Sequence, residues 1–148
     1  MIITEVLFAI LYANLLEYAI HRYLFHGLGK DSSSMFAFHL REHHIISIQN
    51  GFVDKRVSKK ELIGIVVAII LHSPIIYIYP AFFYSISAYG IMFVVIHNLL
   101  HSHPKIAKRF FWWHWNHHMR NQNKSWAVVI PITDVLTGTL QEKTKNDC

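Results

Sequence analysis

Ten of the chain's 12 histidines fall into four tight clusters. They read His21-Arg-Tyr-Leu-Phe-His26, His39-Leu-Arg-Glu-His43-His44, His97-Asn-Leu-Leu-His101 and His114-Trp-Asn-His117-His118. A neutral imidazole is the commonest metal ligand and suits iron, zinc, copper and nickel. On an α-helix, side chains three or four residues apart share a face. That rule puts His97 with His101, groups His114, His117 and His118, and pairs His39 with His43 while His44 sits one step around. His21 and His26 are five apart, about 140° around an ideal helix. Either that helix distorts or the two reach the site from different sides. Ten imidazoles exceed what one tetrahedral or octahedral ion can hold, so a two-metal site is the natural capacity. His72, alone in an apolar run, and His103, just before Pro104, lie outside the spacing and read as structural.

The elements that carry these clusters are apolar. Hydrophobic residues make up 53% of the 148 residues, and mean hydropathy is +0.27, high for a soluble enzyme. Roughly 20 apolar residues cross a bilayer core. Residues 2–20 form one such block, and residues 62–96 form a second, long enough for two spans with Pro80 as the breaker. The expected architecture is all-α: an integral-membrane bundle of about three spans (2–20, 62–79 and 82–100) under a histidine-rich helical cap (21–60 and 101–148). All 14 Lys and Arg lie in 22–60 or 105–145. With three spans both basic regions share one side, which the positive-inside rule makes cytoplasmic. The same parity gathers all four histidine clusters at one membrane face. The net charge of +5 then speaks for anionic headgroups, not nucleic acid.

Smaller features complete the expectation. The N-terminus has no basic region before its apolar run and carries Glu5, so it does not read as a cleaved signal peptide. The single cysteine, Cys148, can make no internal disulfide. Gly27 and Gly29 should stop the helix carrying His21 and His26. Helices are expected over Met35 to Ile48 and over Ile106 to Arg120, the latter dense in aromatics (Phe110, Phe111, Trp112, Trp113, Trp115). Those aromatics would anchor the membrane interface or pack the cap. Glu17, one turn before His21, and Asp134 are candidates to orient ligand imidazoles.

The order and spacing of the clusters resemble the fatty acid hydroxylase/sterol desaturase superfamily of membrane di-iron oxygenases, whose motifs run HxxxxH or HxxxH, HxxHH or HxxxHH, HxxxH and HxxHH. A closing motif is similar too, at Val128, Pro131, Asp134, Gly138 and Thr139, with Ser125 and Ala127 in place of the usual Asn and Gly. The resemblance covers about residues 5–140. It implies a four-span or reduced bundle and two iron ions held by the ten clustered histidines, with zinc able to occupy a purified sample. It also implies O2 as co-substrate and a hydroxyl inserted into a lipid C–H bond. A fatty acyl chain is the first substrate expectation. A carotenoid ring or a sterol is the alternative within the superfamily, and a non-enzymatic membrane metal-binding protein the alternative outside it. The Glu-x-x-His pairs of soluble di-iron bundles, HExxH, P-loops and GxGxxG are all missing from the sequence. Electrons should therefore come from a separate cytochrome b5-like or ferredoxin-like donor, docked on basic cap residues (Lys55, Arg56, Lys59, Lys60, Lys105, Lys108, Arg109). Tyr23, Tyr84 and the aromatic stretch 110–115 would line the path of the lipid chain.

Overall fold

The computed structural model describes residues 2–54 and 57–144; Lys55, Arg56, Lys145 and Cys148 lie outside the described residues. It is all-helical, with seven α-helices and no strand among the described residues. They are α1 (Ile2–Ala19), α2 (Ile45–Gln49), α3 (Lys59–His72), α4 (Pro80–Ser102), α5 (Pro104–Phe110), α6 (Trp112–Met119) and α7 (Ile132–Leu136). Three helical stretches are long and apolar enough to cross a membrane: Ile2–Lys30, Lys59–Tyr77 and Pro80–Ser102. The first and third contain the spans expected from composition (2–20 and 82–100), whereas the second starts earlier than the expected 62–79 and ends two residues sooner, at Tyr77. Pro80 does break the second apolar block, sitting at the first turn of α4 where its missing N–H costs nothing.

Helices α1 and α4 run side by side toward the histidine end, and α3 runs back between them in chain order. Small residues let α1 and α4 approach, with Ala9 and Ala13 buried beside Tyr89. Asn14 is buried within α1, and its amide is fully used. Nδ2 donates to Tyr89 Oη at 3.2 Å and to the Ile130 carbonyl, while Oδ1 accepts from Thr133 N at 2.9 Å and Thr133 Oγ1 at 2.8 Å. A polar group in a span must find such partners. Helix α3 packs differently, with only 6% of its apolar window buried against the rest of the chain. Its Ser58–Glu61 capping box satisfies its first amides, and His72 at its other end accepts from Tyr12 Oη at 2.8 Å. His72 Nδ1 meanwhile donates to the Ala68 carbonyl at 2.7 Å. His72 therefore joins two spans, and the His103 ring bonds the Leu99 carbonyl at the end of α4.

Two expected helices differ. The stretch 106–120 is broken at Phe111 (φ −124°, ψ 44°) into α5 and α6. The break lets Phe111 and Trp115 pack with Phe52, Leu100, Ala107 and Val128 in the cap core, so a continuous rod gives way to burial of its aromatics. The helix expected from Met35 begins at Ala37, because the Ser-rich segment before it is taken up by turns.

Candidate metal centre

Two of the four clusters sit on π-helical turns: Ile20–Phe25 continues α1, and His39–His44 precedes α2. In a π-turn the N–H bonds back five residues, as His26 N does to the His21 carbonyl at 3.0 Å. Residues five apart then stand one above the other. The helix thus distorts, which was one of the two possibilities open for His21 and His26. Gly27 must follow at once, since a Cβ there would lie 2.2 Å from the Tyr23 carbonyl oxygen.

The same distortion changes the second cluster. His39 pairs with His44, not with His43, and His43 turns the other way. The ten histidines sort into two sets that cut across the clusters. His21, His26, His39, His44 and His117 offer ligand atoms all within 4.8 Å of one another, as do His43, His97, His101 and His118. His114 joins the second set through His101, its Nε2 lying 3.2 Å from His101 Nε2. Sequence neighbours therefore face different sets, His43 against His44 and His117 against His118. The single face expected for His114, His117 and His118 is corrected accordingly: α6 enters between the sets and presents ligands to both.

All ten are at most 6% exposed, which excludes ordinary surface histidines. Burial, reinforced by the neighbouring imidazoles, holds His39, His44, His114, His117 and His118 well below the usual histidine range, so they stay neutral. Neutral imidazole is the form that ligates metal.

The hydrogen bonds decide which nitrogen is left bare. His21 Nδ1 meets the Trp126 carbonyl, His117 Nδ1 the Lys124 carbonyl at 2.8 Å and His101 Nδ1 the Phe52 carbonyl at 2.7 Å. Carboxylates take the same role for His39 (Glu61, 3.2 Å) and His43 (Asp54, 2.7 Å). These oxygens only accept, so each Nδ1 carries the hydrogen and each Nε2 presents a lone pair. Yet His39 Nε2 and His21 Nε2 lie 3.0 Å apart, and His117 Nε2 lies 3.1 Å from His26 Nε2 and 3.3 Å from His44 Nε2. His21 and His39, whose Nε2 lone pairs are both bare, repel at that separation unless a cation lies between them. Nitrogens about 2.1 Å from one ion and at right angles around it stand about 3.0 Å apart, so the spacing fits a shared metal. In the second set His43 Nε2 and His118 Nε2 are buried without a hydrogen-bond partner among the described residues, as donors reserved for an ion would be.

The partners of the Nδ1 atoms were not visible in sequence reasoning. Phe52 is the least expected. It has a positive φ of 82°, unusual for a bulky residue. That backbone turns its carbonyl to His101 while its ring stacks on the same imidazole at 4.3 Å. Nothing in their sequence context singles out Glu61 or Asp54 as a partner of a ligand histidine. Glu17 and Asp134, expected to orient imidazoles, touch none. Glu17 Oε1 accepts from Val128 N (2.7 Å) and Val129 N (3.2 Å), and Asp134 accepts from Trp126 N (2.9 Å) and Ala127 N (2.8 Å). The irregular segment 126–129 has no sheet to satisfy its amides, and these two carboxylates do so instead. Their connection to the histidines runs only through the backbone, by way of the Trp126 carbonyl. Tyr84 lies 13 residues before His97 in α4, about 20 Å from that end of the helix. Trp113 is buried and donates to the Val128 carbonyl at 3.2 Å, and Trp115 packs on Phe52. These two aromatics serve the cap core. Tyr23 is exposed beside the first set, with the Arg22 guanidinium over its ring.

Three apolar helices meeting a buried double set of imidazoles define an integral membrane protein built around a candidate two-metal centre. The family model for fatty acid hydroxylases matches residues 6–139, and the chain belongs to that family. The family's activities are of the hydroxylase and desaturase type, and membership supports an enzyme of that general kind. No curated protein and no solved structure matches the chain.

Proposed function

We propose that the chain is an O2-dependent di-iron hydroxylase that places an oxygen atom in a C–H bond of a fatty acyl chain. The observation that carries this reading is the convergence of ten buried histidines into two adjacent sets at one end of three helices long and apolar enough to cross a membrane, with the Nε2 lone pair of five of them (His21, His39, His43, His101 and His117) left bare by their Nδ1 partners. His21, His26, His39, His44 and His117 would hold one ion, and His43, His97, His101 and His118, with His114 beside them, the other. Iron bound there supplies the redox capacity for O2 activation. The residues contribute position and dryness: carbonyls and carboxylates hold the tautomers of His21, His39, His43, His101 and His117, and Phe25, Phe52 and Trp126 pack against the rings.

Hydroxylation consumes O2, two electrons and two protons and releases water with the alcohol. The electrons come from a separate cytochrome b5-like or ferredoxin-like protein. Lys59, Lys60, Lys105, Lys108 and Arg109 surround the histidine end and suit an acidic donor. Their clustering also supports a cytoplasmic orientation of that end. Zinc would fill the same nitrogens without redox activity, so activity follows iron alone. Under 18O2, lipids from cells expressing the chain should carry an 18O hydroxyl, and the product should disappear without iron or reductant. Label arriving from water would require a hydrolytic reading.

A further inference from the structure

In the five-histidine set backbone carbonyls hold His21 and His117, and one ligand is held differently. His39 Nδ1 donates to a carboxylate, Glu61 Oε1, at 3.2 Å, while its ring stacks on Phe25 at 4.7 Å. Glu61 is buried at the start of α3, and its other oxygen is already committed. Oε2 accepts from Ser58 N at 2.9 Å, and Glu61 N donates to Ser58 Oγ at 3.1 Å, closing the capping box of that helix. One side chain thus ends two structures. Around it α3 has little else to fix its depth, since its apolar surface is almost entirely turned away from the chain. The polar ties are Glu61 to His39, Val57 N to Asn98 Oδ1 at 2.7 Å, and His72 to Tyr12 at the far end.

We infer that Glu61 is a positioning residue that joins the second membrane helix to the five-histidine centre, fixing the His39 tautomer with one oxygen and capping α3 with the other. This rests on the metal-binding reading of the histidines given above. Two N–H donors, one from His39 and one from Ser58, converge on this side chain, and only a carboxylate offers an acceptor to each. Glutamine has the same shape and one acceptor. In Glu61→Gln the one amide oxygen stays on the Ser58 N–H, a backbone donor that cannot change its role, and the NH2 faces His39 Nδ1, which can; the imidazole hydrogen is driven to Nε2, where it blocks the ligand lone pair.

The test uses the full chain in lipid nanodiscs, loaded anaerobically with Fe(II), with iron per chain and resistance to a chelator as readouts. Wild type should hold two ions. Glu61→Gln should hold one as tightly as wild type and the other about 10–100-fold more weakly, the size found when a partner of a ligand histidine is removed. Ser58→Ala, which removes the cap hydroxyl and leaves the His39 bond, should keep both ions at wild-type affinity and melt earlier. Two ions of wild-type affinity in Glu61→Gln would overturn the inference, as would equal weakening in Ser58→Ala, which would make the effect one of helix capping alone. Should Glu61→Gln not fold, hydrogen exchange on wild type decides: Fe(II) should slow the amides of residues 57–62, and unchanged exchange there refutes the coupling. A wild type that binds no iron would defeat the metal reading itself, a different result from a Glu61→Gln variant that matches a loaded wild type.

Discussion

Removing the Asp134 carboxylate should unfasten the segment that orients His21. Asp134 is fully buried and accepts from Trp126 N, Ala127 N and Thr139 Oγ1, the last at 2.7 Å. In Asp134→Ala both amides, which belong to buried residues, lose their partner where water does not replace it. An unsatisfied buried donor costs about 1–3 kcal/mol, so the pair amounts to about 2–6 kcal/mol. Asp134→Asn retains one acceptor and turns an NH2 toward the other amide, leaving about 1–3 kcal/mol. Thr139→Val removes a partly buried hydroxyl bond worth about 0.5–1.5 kcal/mol. For a chain of this length each kcal/mol moves Tm by about 2–4 °C. The series should therefore order as Ala, then Asn, then Val, with the alanine variant falling by roughly 4–24 °C. Thermal unfolding of detergent-solubilised protein, followed by tryptophan fluorescence, measures the order. Iron content measured in parallel should fall with it, because His21 Nδ1 bonds the Trp126 carbonyl. An alanine variant melting within a degree of wild type, or an asparagine variant as unstable as alanine, would refute the reasoning that these amides depend on the two carboxylate oxygens.

Two further outcomes follow from the geometry. His43→Ala and His44→Ala, although adjacent in sequence, should each remove one ion and leave the other; the double variant should lose both, whereas His43→Ala with His118→Ala should still retain one, as read by iron per chain. Ser125→Asn should raise stability by about 0.5–1 kcal/mol in thermal unfolding, since Ser125 has a φ of 59°, a left-handed conformation that asparagine adopts more cheaply. The gain depends on the new amide keeping the bond that Ser125 Oγ accepts from Gln141 N at 2.8 Å.

That last position shows how the closing motif works. Ser125 stands where the family pattern has asparagine, and the left-handed backbone is the physical requirement behind that pattern. Similarly, the motif's Asp134 reads in sequence as a ligand-orienting carboxylate and in three dimensions as the acceptor for the Trp126 and Ala127 amides of an irregular segment. A residue can be recognised as necessary from sequence while its partner stays hidden, because the partner is chosen by a contact between distant segments.

The sequence by itself determined the all-helical architecture, the three apolar helices and the ten histidines that bury together, because hydropathy over about 20 residues and residue spacing are local properties. It could not allot the histidines between two sets. Spacing rules presume the α-helical rotation of about 100° per residue, and the π-turns at Ile20–Phe25 and His39–His44 replace it where the chemistry lies. Only the tertiary structure set His44 against His39, sent His43 to the opposite set, and split His117 from His118 as α6 entered between them. It also chose the atoms that fix the imidazoles. The carbonyls of Phe52, Lys124 and Trp126 and the carboxylates of Asp54 and Glu61 come from loops and a helix start whose approach depends on how the helices converge. Every residue offers a backbone carbonyl, so side-chain identity gives no sign of which carbonyl will meet a ligand; that is decided by where the folded chain passes.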